Sequence, residues 1–276
     1  LQLLSLILLG CAPPAEGDGK TVILSYNVQN IFDAELDGSE YEDFRPGRGW
    51  NEERYHLRLD RLSRVIRQTD PPPDVLVLQE IENRRVLDDL TSIYLPEYNY
   101  RYRVSGGPQD SATQVGIVTH LPIISLRRHA PPAREYPLRN ILEARIDTGF
   151  QGVVLFANHW KSRRGGGEEA RRATASLLSA RLAHIAEEGV GEVILVGDFN
   201  CEPEVGTEAD PAPPLLLGGI QEESIAIREK LSGLEESGVF FSPWGLVPEG
   251  GSYHYADSWE RIDAFYLSKG ATEPPG

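Results

Sequence analysis

The stretch that decides the fold is residues 193–200, with the sequence VILVGDFN. Its first four residues are apolar and three of them are β-branched, which predicts a buried strand. Gly197 ends the run, and the oxygen-bearing side chains of Asp198 and Asn200 follow it, one residue apart. Because an apolar strand has no packing use for such side chains at its end, we expect them to serve a polar site at the edge of a sheet.

Three other strand-like runs end in the same way. The runs 22–26 (VILSY), 75–79 (VLVLQ) and 153–158 (VVLFAN) lead into Asn27, Glu80 and His159. Taken singly, each has a plainer interpretation: a turn former, a capping carboxylate and a structural histidine. Together they predict one polar site assembled from distant segments, and its residue types suit metal-assisted phosphate chemistry.

The composition limits what this site belongs to. With 276 residues, 40% hydrophobic and 25% charged, the chain can bury a sizeable core, and the lack of internal repeats favours one domain. A net charge of −15 and a pI near 4.9 argue against broad non-specific adhesion to nucleic acid. They do not exclude a nuclease, because carboxylates that hold a cation count toward this total. Adjacent arginines occur at Arg127-Arg128, Arg163-Arg164 and Arg171-Arg172. They are interpreted either as solvated surface or as contacts to substrate phosphate.

The first eleven residues, LQLLSLILLGC, resemble the signal of a bacterial lipoprotein. In that pattern Cys11 is lipidated and becomes the mature N-terminus. We therefore expect residues 1–19 to be a signal and linker, and the protein to be extracytoplasmic and membrane-anchored, in the periplasm or at the cell surface. The alternative is a fragment of buried strand or helix. Cys201 would then be the only thiol left, as a small packing residue.

Helical patterns alternate with strand-like runs after the linker, which is typical of a layered α/β domain. Helices are predicted over residues 52–68, after an N-cap at Asn51, over 168–187 and, shorter, near 221–232. The apolar stripe of the second helix consists of Ala170, Leu177, Leu178, Leu182 and Ile185. Further strands are predicted at 100–104, 115–119, 141–146 and 262–267.

Two carboxylates have specific expectations attached to them. Glu80 is the best candidate for a metal ligand, because a hard cation such as Mg²⁺ prefers carboxylate oxygen. Asp263 interrupts an apolar strand, where an unpaired carboxylate is costly, so it needs a partner, most naturally a histidine.

Five segments, in this order, resemble the endonuclease/exonuclease/phosphatase superfamily with its deoxyribonuclease-I-like fold: 25–30 (SYNVQN), 78–83 (LQEIEN), 158–162 (NHWKS), 197–200 (GDFN) and 261–263 (RID). Each motif alone is weak, and the ordered set is specific. The resemblance implies a four-layer α/β/β/α sandwich, in which two mixed β-sheets pack face to face with helices outside. The matching segments cover roughly residues 20–270, and we expect the domain to comprise residues 20–276.

The resemblance also implies roles for individual residues. Glu80 is similar to the family's metal ligand, with Asn27 beside it. His159 and Asn200 resemble phosphate contacts, and Asp198 the residue that activates water. Arg139 is similar to a substrate-phosphate arginine of some members.

One departure from the family pattern concerns the C-terminus. Family members have a Ser-Asp-His after their last strand, whose histidine is held by the aspartate equivalent to Asp263. No such tripeptide follows Asp263 here. We expect a chain truncated at both ends, with a natural loss of activity as the alternative.

These expectations combine into one function: an extracytoplasmic, Mg²⁺-dependent phosphodiester hydrolase, a nuclease acting on DNA or RNA. Mn²⁺ or Ca²⁺ are alternative metals, and we expect a monomer. Its catalytic residues would be His159, Asp198, Asn200 and Asp263. One alternative is a phosphatase or phospholipase that acts on inositol phosphates or lipid head groups. Another is a non-catalytic binding lipoprotein.

Overall fold

The fold is described from a computed structural model. It describes residues 5–10, 20–107, 111–132, 137–149, 152–163, 167–189, 192–201, 240 and 250–268, with the backbone alone for 5–10 and Lys20. Cys11 and the helix predicted near 221–232 lie outside these ranges. Among the described residues, no helix is both long enough and apolar enough to span a membrane.

Twelve strands and three α-helices are present in the described residues. The strands are β1 (Ser5–Gly10), β2 (Lys20–Ile31), β3 (Val75–Ile81), β4 (Tyr102–Ser105), β5 (Gln114–Thr119), β6 (Ile123–His129), β7 (Ile141–Ile146), β8 (Val153–His159), β9 (Glu192–Asp198), β10 (Tyr253–Tyr255), β11 (Ser258–Glu260) and β12 (Asp263–Leu267). The helices are α1 (Glu52–Ile66), α2 (Arg84–Asp89) and α3 (Glu168–Glu187), with shorter 3₁₀ turns at Glu42–Phe44, Pro46–Arg48 and Pro96–Tyr98 and a π-helical turn at Leu90–Tyr94.

The strands form two five-stranded mixed sheets and a small hairpin. The first sheet has the order β1-β2-β3-β5-β4 and the second the order β12-β9-β8-β7-β6, while β10 pairs with β11. Each sheet contains one parallel pair in its middle, β2 with β3 and β8 with β9. These two parallel pairs carry the residues of the predicted polar site.

The two sheets pack face to face, and helices cover their outer faces. Side chains of both sheets, such as Val77 and Ile117 of the first and Leu155 and Ile194 of the second, share one buried cluster. Helices α1 and α2 pack on the outer face of the first sheet, and α3 packs on that of the second. The predicted four-layer α/β/β/α sandwich is therefore confirmed.

The two long predicted helices are present. Asn51 caps α1 by accepting a hydrogen bond from the Arg54 backbone N–H at 3.0 Å. The buried face of α3 consists of Thr174, Ala175, Leu178, Leu182 and Ile185. The expected stripe was wrong in part, since Ala170 and Leu177 are only half-buried. Thr174 and Ala175 are buried in their place.

Strands β1 and β6 differ from the expectations. Residues 5–10, interpreted as part of a signal, pair antiparallel with β2 at the edge of the first sheet. This backbone fits the alternative interpretation of a strand, and the lipoprotein signal stays a prediction. Strand β6 is an edge strand with several exposed positions, so its apolar pattern was too weak to be recognised.

Candidate active site

Three of the expected site residues lie at one edge of the second sheet. His159 and Asp198 are the last residues of β8 and β9, and they are opposite each other in the parallel ladder. Asp263 is the first residue of β12 and lies opposite Asp198 on its other side. Since parallel strands end at the same edge, the predicted convergence follows directly from the register.

Asn27 and Glu80 reach the site from bulges and not from strand ends, which corrects the expectation. Strand β2 continues past Asn27 to Ile31, and β3 continues past Glu80 to Ile81. The register shifts at both places, and Glu80 has a left-handed backbone with φ of +65°. A bulge re-aims a side chain, and such strain is typical of functional sites.

The amide of Asn27 joins carboxylates from the two sheets. Its Nδ2 donates to Glu80 Oε1 and to Asp198 Oδ2, each at 3.0 Å. Its Oδ1 accepts from the backbone N–H of Gln29 at 3.0 Å. Asn27 therefore acts as a hydrogen-bond donor that positions the two carboxylates. The His159 Nε2 lies 3.8 Å from each of the same two carboxylate oxygens.

This arrangement fits a divalent cation. Glu80, His159 and Asp198 each offer one ligand atom, and these atoms lie within 4.8 Å of one another. Burial, and then the neighbouring Asp263, raise the pKa of Asp198, while hydrogen bonds from Asn200 and Asn27 oppose this. Negative charge is thus crowded where a cation would balance it.

Asp263 belongs to the same crowded group. Burial raises the pKa of Asp263 to about 6. A hydrogen bond from Ser252 opposes this shift, and the negative charge of Glu80 adds to it. The Ser252 Oγ also accepts the backbone N–H of Asp263 at 3.0 Å. A serine therefore contacts the carboxylate for which a histidine was expected. Ser252 follows two glycines in a turn-like run, and no pattern in the sequence marked it.

His159 is an uncharged imidazole in this site. Burial, and then the positive charge of Arg139, lower the pKa of His159 well below its usual value. Its Nδ1 is buried and has no hydrogen-bond partner among the described residues. The ring can therefore offer either one N–H donor or one nitrogen ligand through the Nε2 that faces Glu80 and Asp198.

Asn200 holds Asp198 in place. Its backbone N–H donates to Asp198 Oδ1 at 2.8 Å, with a left-handed φ of +51°. Its side-chain Nδ2 donates to the Trp160 carbonyl at 3.1 Å. Within the described residues, one amide hydrogen of Asn200 thus remains for a ligand.

Arg139 lies within electrostatic reach of His159 and is incompletely satisfied. Its Nη2 donates to the Thr113 hydroxyl at 3.4 Å, and its Nε is buried with no partner among the described residues. A buried guanidinium N–H without a partner is expensive, and an anionic ligand would satisfy it. The expected phosphate contact is thus consistent with its surroundings.

Comparison with protein families connects this geometry to a known group. The model of the Endonuclease/Exonuclease/phosphatase family matches residues 22–273. The chain belongs to this family. Enzymes of this family are hydrolases that cleave phosphate esters, and they depend on a divalent metal.

Solved structures share the fold at low identity. A Caenorhabditis elegans TDP2 is 17% identical with a TM-score of 0.51, over 89% of this chain and 64% of that one. A Danio rerio TDP2 in complex with a single-strand DNA product is 18% identical with a TM-score of 0.54, over 92% of this chain and 85% of that one. A Bacteroides thetaiotaomicron mannosyl-6-phosphatase is 18% identical with a TM-score of 0.53, over 90% of this chain and 85% of that one.

These likenesses establish the fold only. The chain spans 64% of the length of the C. elegans TDP2 chain, so the activity of that whole protein does not transfer. No curated protein matches this sequence.

Proposed function

We propose that this family member is a Mg²⁺-dependent phosphodiester hydrolase and, more narrowly, a nuclease. The observation that carries the proposal is the meeting of Glu80, His159 and Asp198, whose potential ligand atoms lie within 4.8 Å of one another. Beside them is Arg139, whose buried Nε has no hydrogen-bond partner in the described part of the chain. Carboxylate oxygens suit Mg²⁺, and the arginine suits a phosphate.

Each residue has a task that its contacts support. Asp198, held by the N–H groups of Asn27 and Asn200, aligns the attacking water and accepts its proton. His159 Nε2 and Arg139 donate to the phosphoryl oxygens as charge builds on them. Glu80 would hold the cation, and a bound cation would supply Lewis-acid charge for the phosphoryl group, while His159 Nε2 keeps its proton as a donor.

An arginine-lined cleft beside this site favours a long substrate. The cleft, which we call the Arg58 cleft, has a volume of about 270 Å³ and is lined by Tyr26, Val28, Gln29, Ile31, Arg58, Arg61, Leu62 and Val65. Tyr26 is within electrostatic reach of Asp263, and Arg58 is within reach of Glu80. A neighbouring phosphate or base of a nucleic-acid strand would fit here, since arginine pairs with phosphate and tyrosine stacks on bases.

Substitution of Arg61 tests this assignment. Arg58 donates hydrogen bonds to the backbone carbonyls of Val28 and Gln29, whereas Arg61 is exposed at the cleft. In the full-length protein, Arg61→Ala should raise KM for a single-stranded DNA or RNA oligonucleotide by about three- to tenfold, because one phosphate contact is lost. It should leave the hydrolysis of bis-p-nitrophenyl phosphate unchanged. Arg64→Ala is the control, because Arg64 is exposed on the same helix and paired with Asp60.

The substrate panel also separates this proposal from a second candidate. The fold neighbour described as a mannosyl-6-phosphatase favours a phosphomonoesterase. If the protein hydrolyses p-nitrophenyl phosphate and sugar phosphates but leaves oligonucleotides uncleaved, this candidate is supported and the nuclease proposal is overturned. Equal loss on oligonucleotide and small diester in Arg61→Ala would contradict the role of the Arg58 cleft.

We further propose that the enzyme acts outside the cytoplasm on a lipid anchor at Cys11. The support is the apolar run 1–10 that closes on Leu9-Gly10-Cys11. Mass spectrometry of the mature N-terminus tests it directly. A diacylated Cys11 supports the anchor, and a mature chain that retains residues 1–10 would contradict it.

A further inference from the structure

A second group of carboxylates lies outside the active site, where the loop after β2 meets the end of β3. Asp37, Glu40 and Glu82 each have a carboxylate oxygen within 4.8 Å of the other two. Glu40 and Glu82 are buried, and Asp37 is exposed. We call these three residues the loop carboxylates.

One oxygen in this group lacks any partner in the described part of the chain. Glu82 Oε2 accepts the Asp33 backbone N–H at 2.7 Å and Asn83 Nδ2 at 3.3 Å. Glu82 Oε1 is buried and accepts no hydrogen bond from any described residue, and Glu82 as a whole is only 2% exposed. Leaving a carboxylate oxygen buried and unsatisfied is costly, so a ligand that is not protein is expected there.

No basic side chain balances these charges within the described residues. Arg45 donates to the backbone carbonyl of Glu40 and forms no ion pair with its carboxylate. Arg85, on the helix after Glu82, pairs with Glu35, Glu52 and Asp89. The loop carboxylates therefore share a net negative charge without a cation from the protein.

We propose that Asp37, Glu40 and Glu82 bind a hard divalent cation, with Ca²⁺ as the favoured ion. Ca²⁺ is bound by oxygen ligands at about 2.3–2.6 Å, so ligand oxygens around one ion lie up to about 5 Å apart. The observed spacing agrees with this limit. Ligands drawn from a loop and a strand end suit its flexible geometry better than the strict octahedron of Mg²⁺.

The bound cation would fasten the loop after β2 to the strand that carries Glu80. Glu40 already accepts two N–H groups of the loop, from Asp37 and Gly38, which fixes its carboxylate. The Asp33 carbonyl accepts Trp50 Nε1 at 2.9 Å, which connects the loop to the start of α1. The proposal concerns structure and does not depend on the proposed nuclease activity.

Calcium binding to a protein whose active-site ligand is removed provides the test. In full-length Glu80→Gln, titration calorimetry with CaCl₂ should give one bound Ca²⁺ per chain. Adding Asp37→Asn should weaken this binding by about tenfold or more, because a charged ligand is lost. Asn keeps the oxygen that accepts the Ser39 N–H, so the loop should still fold. Glu42→Gln, on the same loop and bonded to Arg48, is the control and should not change binding.

Trypsin provides a readout of the loop itself. In Glu80→Gln, Ca²⁺ should slow cleavage of the Arg48–Gly49 bond severalfold, and this protection should be absent in the Asp37→Asn double variant. Saturation by MgCl₂ alone, with no Ca²⁺ preference, would overturn the choice of ion. No cation binding in Glu80→Gln, or equal binding in the double variant, would overturn the site.

Discussion

Gly197 lies opposite Asn158 of β8, directly before the active-site aspartate. Its φ is +129°, and a Cβ placed there would be 2.1 Å from the Asn158 carbonyl oxygen. Only glycine accepts this backbone and this proximity together. The residue therefore lets the two parallel strands bring His159 and Asp198 to the same edge.

Gly197→Ala should therefore lower the free energy of unfolding by on the order of 3 kcal/mol, because the methyl group forces the strands apart. Urea unfolding measures this. Gly189→Ala is the matched control, since Gly189 also has a positive φ, of +69°, but has open space where its Cβ would be. That variant should lose about 1 kcal/mol, for the backbone alone. Equal losses in the two variants would contradict the proposed clash.

The convergence of the expected site residues was predictable from the sequence, but the way in which the backbone presents two of them was not. Asp198 and His159 follow apolar runs, so their position at the strand ends could be read from the pattern. Asn27 and Glu80 depend on bulges that change the register. A bulge is set by pairing with a distant strand, which leaves no local mark in the sequence.

At the scale of elements, Glu143 of β7 joins the second sheet to helix α3. Its carboxylate accepts Arg181 Nε at 2.7 Å and Nη2 at 2.8 Å, and it contacts His129 Nε2 at 2.7 Å. Burial alone would raise the pKa of Glu143. The hydrogen bonds and charges of Arg181 and His129 outweigh it and lower the pKa from 4.5 to about 2.

This lowered pKa predicts a pH-dependent contribution to stability. A carboxylate with a depressed folded pKa stabilises the protein above its unfolded pKa, near 4.5, and loses this effect as the pH falls toward 2. Compared with Glu143→Gln, the wild type should be more stable by about 3 kcal/mol at pH 5.5, and the difference should shrink toward pH 2.5. Urea unfolding over this range measures it, with Glu187→Gln, exposed on α3, as the control. A difference that does not vary with pH would contradict the assignment.

Long and strongly periodic elements were predictable, and so were the edge strands β4 and β12, whereas other short or exposed elements were not. The apolar runs of β3, β8 and β9 and the amphipathic pattern of α1 each lie in one continuous stretch of sequence, so they can be recognised without knowing the tertiary structure. Strands β6, β10 and β11 alternate little and are partly exposed, so only pairing with a neighbour makes them strands. The side chain of Asn83 caps α2, but this helix has only six residues, which are too few to show a helical period.

At the scale of the whole molecule, two sheets are packed so that their middle parallel pairs supply one site. Asn27 and Glu80 come from the first sheet, and His159 and Asp198 come from the second. Hydrogen bonds from Asn27 cross between them. The face-to-face packing of the sheets is therefore required for the site, and the order of the five motifs indicated this packing only through the family resemblance.

The most direct test of the central claim is the rate of bis-p-nitrophenyl phosphate hydrolysis by the full-length protein as Mg²⁺ is titrated, with Glu80→Gln beside it. The wild-type rate should rise to saturation with Mg²⁺ and disappear in EDTA. Glu80→Gln should lose at least about 10²-fold in kcat, because a charge that acts in the transition state is missing. Glu53→Gln, an exposed carboxylate of α1, should match the wild type. Turnover in EDTA, or unchanged turnover in Glu80→Gln, would contradict the claim that these two sheets build a metal-dependent phosphodiesterase site.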